Sequence, residues 1–176
     1  QAIIEHLGLT NGEVLFSQQK VDLRRLALMY NMADCTVNIA DAEGFGLATL
    51  ESLSCGTPII VNMTGGLQEQ VKNETDEFGI PLYPASRAVI GSQQIPWIYE
   101  DRLNGDEVVE AMKKMYNMSN EDRKNMGLLG RQHVMKNYNF DTFNKTWVDT
   151  MLNLHKEEGS WETRKYTKRW TLKEVA

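Results

Sequence analysis

The chain has 176 residues, of which 41% are hydrophobic and 24% are charged, so it is long and apolar enough to bury the core of one ordinary domain. Its formal net charge of −5 excludes a non-specific nucleic-acid binder, which needs a basic surface. No apolar run approaches the roughly 18 residues of a membrane span, and no secretory signal opens the sequence, so we expect a cytoplasmic protein.

The first half of the chain alternates between short apolar runs and helical periodicity. Val14–Phe16 is predicted to be a buried strand, and Asp22 is a candidate N-cap for the helix that follows. The further predicted elements are a strand at 35–40, a helix at 46–55 ended by Gly56 and Pro58, a strand at 59–62 and a short helix at 67–72. This alternation predicts an α/β fold, a Rossmann-like parallel sheet with helices on both faces, whose ligands lie beyond the carboxyl ends of the strands.

The second half begins with residues that break this pattern. Pro81, Pro84 and Pro96 predict a surface excursion over 80–103, anchored by Trp97 and Tyr99. Three helices are expected next, starting near Asp106, Ser119 and Asp141. The last carries an apolar stripe of Phe143, Trp147, Met151 and Leu154.

These elements divide the chain into a domain over 1–155 and a C-terminal tail over 156–176. The tail is basic and carries the large aromatic residues Trp161, Tyr166 and Trp170, which we expect to pack against a partner surface. The sequence opens at Gln1, without a methionine and near a helix end, so we expect a fragment of a longer protein.

The segment between Ala40 and Gly66 contains the residues that are most informative about function. Gly44 and Gly46 let a ligand approach the main chain closely. The first N–H groups of the helix, at Leu47, Ala48 and Thr49, lack intrahelical partners and lie at the positive end of the helix dipole. This arrangement is suited to binding a phosphate or diphosphate without a basic side chain.

Two glutamates flank these amides. Glu51 lies one turn into the helix and leans back towards its start, where it can accept hydrogen bonds from a ribose. Glu43, on the turn, faces the other side of the phosphates, where a sugar with several hydroxyls fits. Glutamates eight apart occur three times in the chain, and only this pair has the glycines and the helix start. A glycine turn before a helix is also a common purely structural feature, so the residues alone leave both interpretations open.

The segment Glu43-Gly44-Phe45-Gly46-Leu47, followed by Glu51, by Gly56–Val61 and by Gly65-Gly66-Leu67-Gln68-Glu69, resembles the C-terminal, donor-binding half of GT-B retaining glycosyltransferases. The match is to glycosyltransferase group 1, also called GT4. The resemblance covers 8–79 well and the helices at 106–155 more loosely.

The resemblance implies transfer of a hexose from a UDP- or GDP-sugar, for example GDP-mannose or UDP-glucose, to an acceptor hydroxyl. Glu43 would be catalytic and bind the donor sugar, and Glu51 would bind the ribose. The further implied donor contacts are Gly44, Phe45 and Gly46 through backbone, Leu47, Ala48 and Thr49 through N–H groups to the diphosphate, and Lys20 and Val21 at the base.

The same resemblance implies the partners. They are a nucleotide-sugar donor, a glycan, lipid or protein acceptor, and an N-terminal domain that lies outside this chain and receives the tail. Contact of the tail with a membrane surface is the alternative. The family's phosphate-binding arginine and lysine lie upstream of this region, so the fragment alone is expected to be inactive.

Neither a metal nor a cofactor is expected, because the three histidines and two cysteines show no metal-ligand spacing. Ser17-Gln18-Gln19 stands where the family usually has a glycine, which weakens the assignment of the base contact. Three alternatives stay open: a sugar-nucleotide epimerase, a phosphorylase of the same architecture, and a non-catalytic nucleotide-binding module.

Overall fold

The computed structural model describes residues 2–166. The helices in this range are α1 (Ala2–His6), α2 (Leu23–Met32), α3 (Leu47–Ser54), α4 (Leu67–Val71), α5 (Gly105–Asn117), α6 (Asn120–Asn137) and α7 (Phe140–Glu158). The strands are β1 (Thr36–Asn38), β2 (Ile59–Asn62), β3 (Gly79–Leu82), β4 (Ser86–Val89) and β5 (Tyr99–Arg102).

The main sheet has the order β1-β2-β3, and both strand pairs are parallel. Thr36 lies opposite Ile59, and Ile60 lies opposite Ile80. All four residues of β2 are buried, as expected for the central strand of a parallel sheet that is covered on both faces.

Alternate residues of β2 contribute to two separate hydrophobic cores. Ile59 and Val61 pack with α3, α4 and α6 on one face. Ile60 packs with Ala111 and Met115 of α5 on the other face. The predicted α/β fold, with helices on both faces of a parallel sheet, is therefore confirmed.

Local signals also placed several helix ends correctly. The Asp22 carboxylate caps α2 by accepting from the Arg25 N–H, and the Ser119 hydroxyl caps α6 by accepting from the Asp122 N–H. Side-chain oxygens at these positions satisfy amides that the helix itself cannot.

The prediction of a surface excursion over 80–103 is wrong at its start. Gly79–Leu82 forms β3, in which Ile80 and Leu82 are buried, and Pro81 is tolerated because β3 is an edge strand of the described sheet. The rest of the segment is an antiparallel hairpin of β4 and β5. Trp97 does not anchor it, because its side chain is 73% exposed.

Two further predicted elements, Val14–Phe16 and the last helix, are not buried as expected. Val14–Phe16 is not a strand, and Leu15 and Phe16 are 86% and 66% exposed, because no strand in 2–166 pairs with them. The apolar stripe of α7 is present, but no residue of that helix is buried.

The predicted tail over 156–176 is only partly covered by the structure, since its part beyond 166, including Trp170, lies outside the described residues. Within 2–166, no helix combines the length and the apolar composition required to cross a bilayer.

Candidate functional site

The turn over 40–46 leaves the carboxyl end of β1 and leads into α3. At the neighbouring strand end, Asn62 of β2 is completely buried, and its side-chain amide donates to the Ala40 carbonyl over 2.8 Å. The turn therefore lies at the edge of the sheet where ligands bind in open α/β folds.

The carbonyl groups of this turn are held by the protein itself. Asp41 O accepts from Asp101 N over 2.9 Å, and Gly44 O accepts from Gly66 N over 3.0 Å. Phe45 O accepts from the Gln70 amide over 2.6 Å. Three carbonyl oxygens of the turn therefore already accept hydrogen bonds from the protein, which fixes the turn's backbone.

Gly65 and Gly66 allow a second loop to lie directly against this turn. A Cβ on Gly65 would collide with the Glu43 carbonyl oxygen, and a Cβ on Gly66 would lie 2.5 Å from the Phe45 carbonyl oxygen. Gly65 also has φ of +49°, which disfavours a side chain there. This close approach explains the glycine pair in the sequence.

The start of α3 offers accessible amides. Its N-cap is Gly46, with φ of 86° and no side-chain capping bond. The first amide in the α-helical ladder is that of Leu50, which donates to Gly46 O over 3.2 Å. Leu47 and Ala48 are exposed residues, and their N–H groups precede this first donor, at the positively polarised end of the helix.

Thr49 differs from the other two residues predicted to bind the diphosphate. It is completely buried, and its hydroxyl contacts Gly46 O at 2.9 Å and Gln70 Oε1 at 2.6 Å. Its amide is therefore shielded, and Thr49 fixes the start of the helix instead of facing a ligand.

The two glutamates of the motif have different surroundings. Glu43 is half-buried on the turn, and Glu51 is exposed on α3. The Tyr30 hydroxyl of α2 donates to Glu51 Oε2 over 3.2 Å. Burial, together with the bond to Glu51, raises the pKa of Tyr30 to about 12, so the hydroxyl keeps its proton at neutral pH and Glu51 keeps its donor.

Lys20 and Val21 lie just before α2, whose Tyr30 contacts Glu51. No hydrogen bond or ion pair in the described part of the chain joins either residue to 40–46. Their assignment to the base stays a prediction.

An apolar groove of about 770 Å³ opens beside the site. Phe45 and Leu47 line one side, and Phe143 and Trp147 of α7 line the other. The Phe45 ring meets the Tyr138 ring edge-on with centroids 6.0 Å apart, so the residue that follows α6 also supports the turn.

Sequence reasoning missed the side chains and backbone groups that hold the turn in place, which belong to Asn62, Gln70, Asp101 and Arg102. It also missed the contact of Tyr30 with Glu51. Two of these residues had a local signal, because Asn62 directly follows the Gly56–Val61 segment and Gln70 directly follows the Gly65–Glu69 segment. Within 2–166, no three histidine, cysteine or acidic side chains are grouped as metal ligands would be.

The fold and the glycine-rich strand-to-helix turn are those of a Rossmann-like α/β domain. Residues 1–133 match the family model described as glycosyl transferases group 1. The chain therefore belongs to the glycosyltransferase group 1 family, which has the GT-B fold.

Individual relatives agree with this membership. An uncharacterized glycosyltransferase of Methanocaldococcus jannaschii is 36% identical over 78 residues, covering 44% of this chain and 17% of the relative. A D-inositol 3-phosphate glycosyltransferase of Catenulispora acidiphila is 43% identical over 69 residues, covering 39% of this chain and 16% of the relative. The chain thus spans about one sixth of the length of these relatives.

Among solved structures, a sucrose-phosphate synthase from Thermosynechococcus elongatus superimposes with a TM-score of 0.64 at 22% identity. The match covers 88% of this chain and 33% of the synthase. It supports the fold of the chain.

Proposed function

We propose that this chain is the donor-binding half of a retaining, GT4-type glycosyltransferase that transfers a hexose from a UDP- or GDP-sugar to an acceptor hydroxyl. The observation that carries the proposal is the start of α3 without a side-chain cap, where Leu47 and Ala48 stand between Glu43 and Glu51 in the sequence. The family membership of the chain supports the reaction class.

In this proposal the amides of Leu47 and Ala48 hold the donor diphosphate and stabilise the charge that develops on it as the sugar departs. Glu51, oriented by Tyr30, accepts hydrogen bonds from the ribose hydroxyls. Glu43 accepts hydrogen bonds from hydroxyls of the donor sugar and holds its anomeric carbon in position for transfer.

The backbone of the turn completes the sugar side of the site. Gly44 is exposed and would leave room for the sugar, and Phe45 presents its main chain beside it. Gly46 is buried and shapes the entry into α3. No metal is required in this scheme, since the helix end supplies the positive potential.

A second domain is part of the proposal. The apolar stripe of α7 and the groove beside Phe45 are exposed in the described residues, and a partner domain of the same protein would cover them. We propose that this domain binds the acceptor and closes over the donor to exclude water.

The test uses the full-length protein with UDP, GDP, UDP-glucose and GDP-mannose. Glu51→Gln should weaken the affinity of the free nucleotide about tenfold in calorimetry, because it removes charged hydrogen bonds to the ribose. Glu43→Gln should keep nucleotide affinity within about threefold and lower sugar transfer at least about a hundredfold.

Glu74→Gln, at an exposed position in the 72–78 loop, is the matched control and should behave as the wild type. Release of an epimer without acceptor, or a requirement for inorganic phosphate, would contradict the transferase. Nucleotide binding without any transfer would identify a non-catalytic binding module.

A further inference from the structure

The β4–β5 hairpin is fastened to the turn that carries Glu43. Asp101 N donates to Asp41 O over 2.9 Å, and Arg102 Nη1 contacts Asp41 Oδ2 at 2.9 Å. Asp41 lies two residues before Glu43 in the sequence. The hairpin is therefore hydrogen-bonded directly to the backbone of the candidate site.

Arg102 is itself held in place. Its Nη2 contacts Glu100 Oε2 at 2.8 Å, and its side chain is only 37% exposed. Two carboxylates thus hold the planar guanidinium between β5 and the turn. This arrangement favours a fixed orientation, which a single flexible surface ion pair does not provide.

The neighbouring residue links the hairpin to the loop beneath the turn. The Asp101 carboxylate is nearly buried and accepts from Arg87 Nε over 3.1 Å. Hydrogen bonds from the Thr64 side chain and from Arg87 lower its pKa. Thr64 directly precedes Gly65 and Gly66, so the hairpin holds both the Glu43 turn and the loop that packs against it.

We propose that Arg102 is a positioning residue that fixes the Glu43 turn through Asp41, which makes the β4–β5 hairpin part of the donor-sugar side of the site. This inference rests on the proposed function. The nucleoside side depends on α3 and on the Tyr30–Glu51 contact, and no hydrogen bond or ion pair within 2–166 joins the hairpin to either of them. Loss of Arg102 should therefore lower the rate of sugar transfer and leave the affinity for the free nucleotide nearly unchanged.

The test is Arg102→Gln in the full-length protein, with UDP-glucose and GDP-mannose as donors. We expect kcat to fall about tenfold because the position of Glu43 loosens, while the affinity for free UDP or GDP changes less than about twofold. Arg102→Lys should restore part of kcat, because an ammonium group still reaches Asp41.

Lys113→Gln is the matched control, since it removes an ion pair of 2.8 Å with Glu110 on α5, away from the site, and it should change neither quantity. Asp41→Asn removes the same ion pair as Arg102→Gln from the other side and should reproduce its effect. It also provides a second variant if Arg102→Gln does not fold.

A measurement that does not depend on enzyme activity is hydrogen exchange of the Asp101 and Gly66 amides, which donate to Asp41 O and Gly44 O of the turn. Faster exchange at both in Arg102→Gln, with unchanged exchange in β2, supports the proposal. Wild-type kcat and exchange in this variant, or an equal loss of kcat and nucleotide affinity, would overturn it. A wild-type protein without nucleotide binding would contradict the proposed function, and the exchange data would still decide whether Arg102 holds the turn.

Discussion

Gln70 links α4 to the candidate site through both ends of its side-chain amide. Its nitrogen donates to Phe45 O over 2.6 Å, and its oxygen accepts from the Thr49 hydroxyl over 2.6 Å. Gln70 and Thr49 are completely buried, so neither group has water as an alternative partner. One side chain therefore fixes both the turn and the first turn of α3.

We expect Gln70→Leu to lower the free energy of unfolding by about 2 kcal/mol, because it removes the donor to the Phe45 carbonyl and the contact with the buried Thr49 hydroxyl. Nucleotide affinity should fall as well, since the first turn of α3 loses the support of Gln70 at Thr49. Denaturant titration measures the first effect and calorimetry the second. The neighbouring Gln68→Leu, at an exposed position, should change stability by less than about 0.5 kcal/mol. Equal effects of the two substitutions would refute the role given to Gln70.

At the scale of elements, α4 and α6 meet through His133. One ring nitrogen of His133 lies 3.0 Å from Glu69 O, the other lies 3.0 Å from the side-chain nitrogen of Asn137, and its ring packs on Phe78 with centroids 4.5 Å apart. A neutral ring that donates to Glu69 and accepts from Asn137 satisfies both contacts. Burial lowers the pKa of His133 below its ordinary value, and the charge of Lys136 acts in the same direction.

A lowered pKa means that the unfolded chain binds a proton at a higher pH than the folded protein does. The stability from neutral His133 is therefore fully present above the ordinary value of 6.5 and is lost as the pH falls through the lower folded value. We expect the wild type to lose more stability between about pH 7.5 and about pH 5.5 than His133→Gln does. Melting temperatures at the two pH values measure this, with His6→Gln as the exposed control. An identical pH dependence in wild type and His133→Gln would contradict the assignment.

An element could be predicted from the sequence when the residues that determine it lie close together along the chain. The turn, α3 and β2 follow from glycines, a helix start and a β-branched run within about twenty residues of sequence. β3 was missed because Pro81 suggested a loop, whereas an edge strand needs no N–H at that position. Val14–Phe16 was assigned to a strand although strand geometry requires a pairing partner, which a sequence run cannot supply.

The same distinction applies to the site. Glu43, Glu51, Leu47 and Ala48 could be proposed as ligand contacts because they all lie at one helix start, and this assignment stays a prediction. The supports Asn62, Gln70 and Arg102 contact the turn across 22, 25 and 61 positions of the chain, and no sequence periodicity encodes such contacts. The sequence therefore contained the candidate ligand contacts but not the residues that hold them.

At the scale of the whole molecule, the described residues leave one large apolar surface uncovered. It is formed by the stripe of α7 and by the groove that this helix shares with Phe45 and Leu47. The groove borders directly on the start of α3, so whatever covers it also approaches the proposed donor. This geometry connects donor binding with domain closure in the proposed enzyme.

The central claim is that the amides at the start of α3 hold the diphosphate of a nucleotide sugar. It is tested most directly by ¹⁵N-leucine and ¹⁵N-alanine labelling of the full-length protein, followed by titration with UDP and GDP. Saturating nucleotide should move the Leu47 and Ala48 amide resonances more than those of other labelled residues, and uridine or guanosine without phosphates should not. Nucleotide binding that leaves the Leu47 and Ala48 resonances in place would contradict the claim.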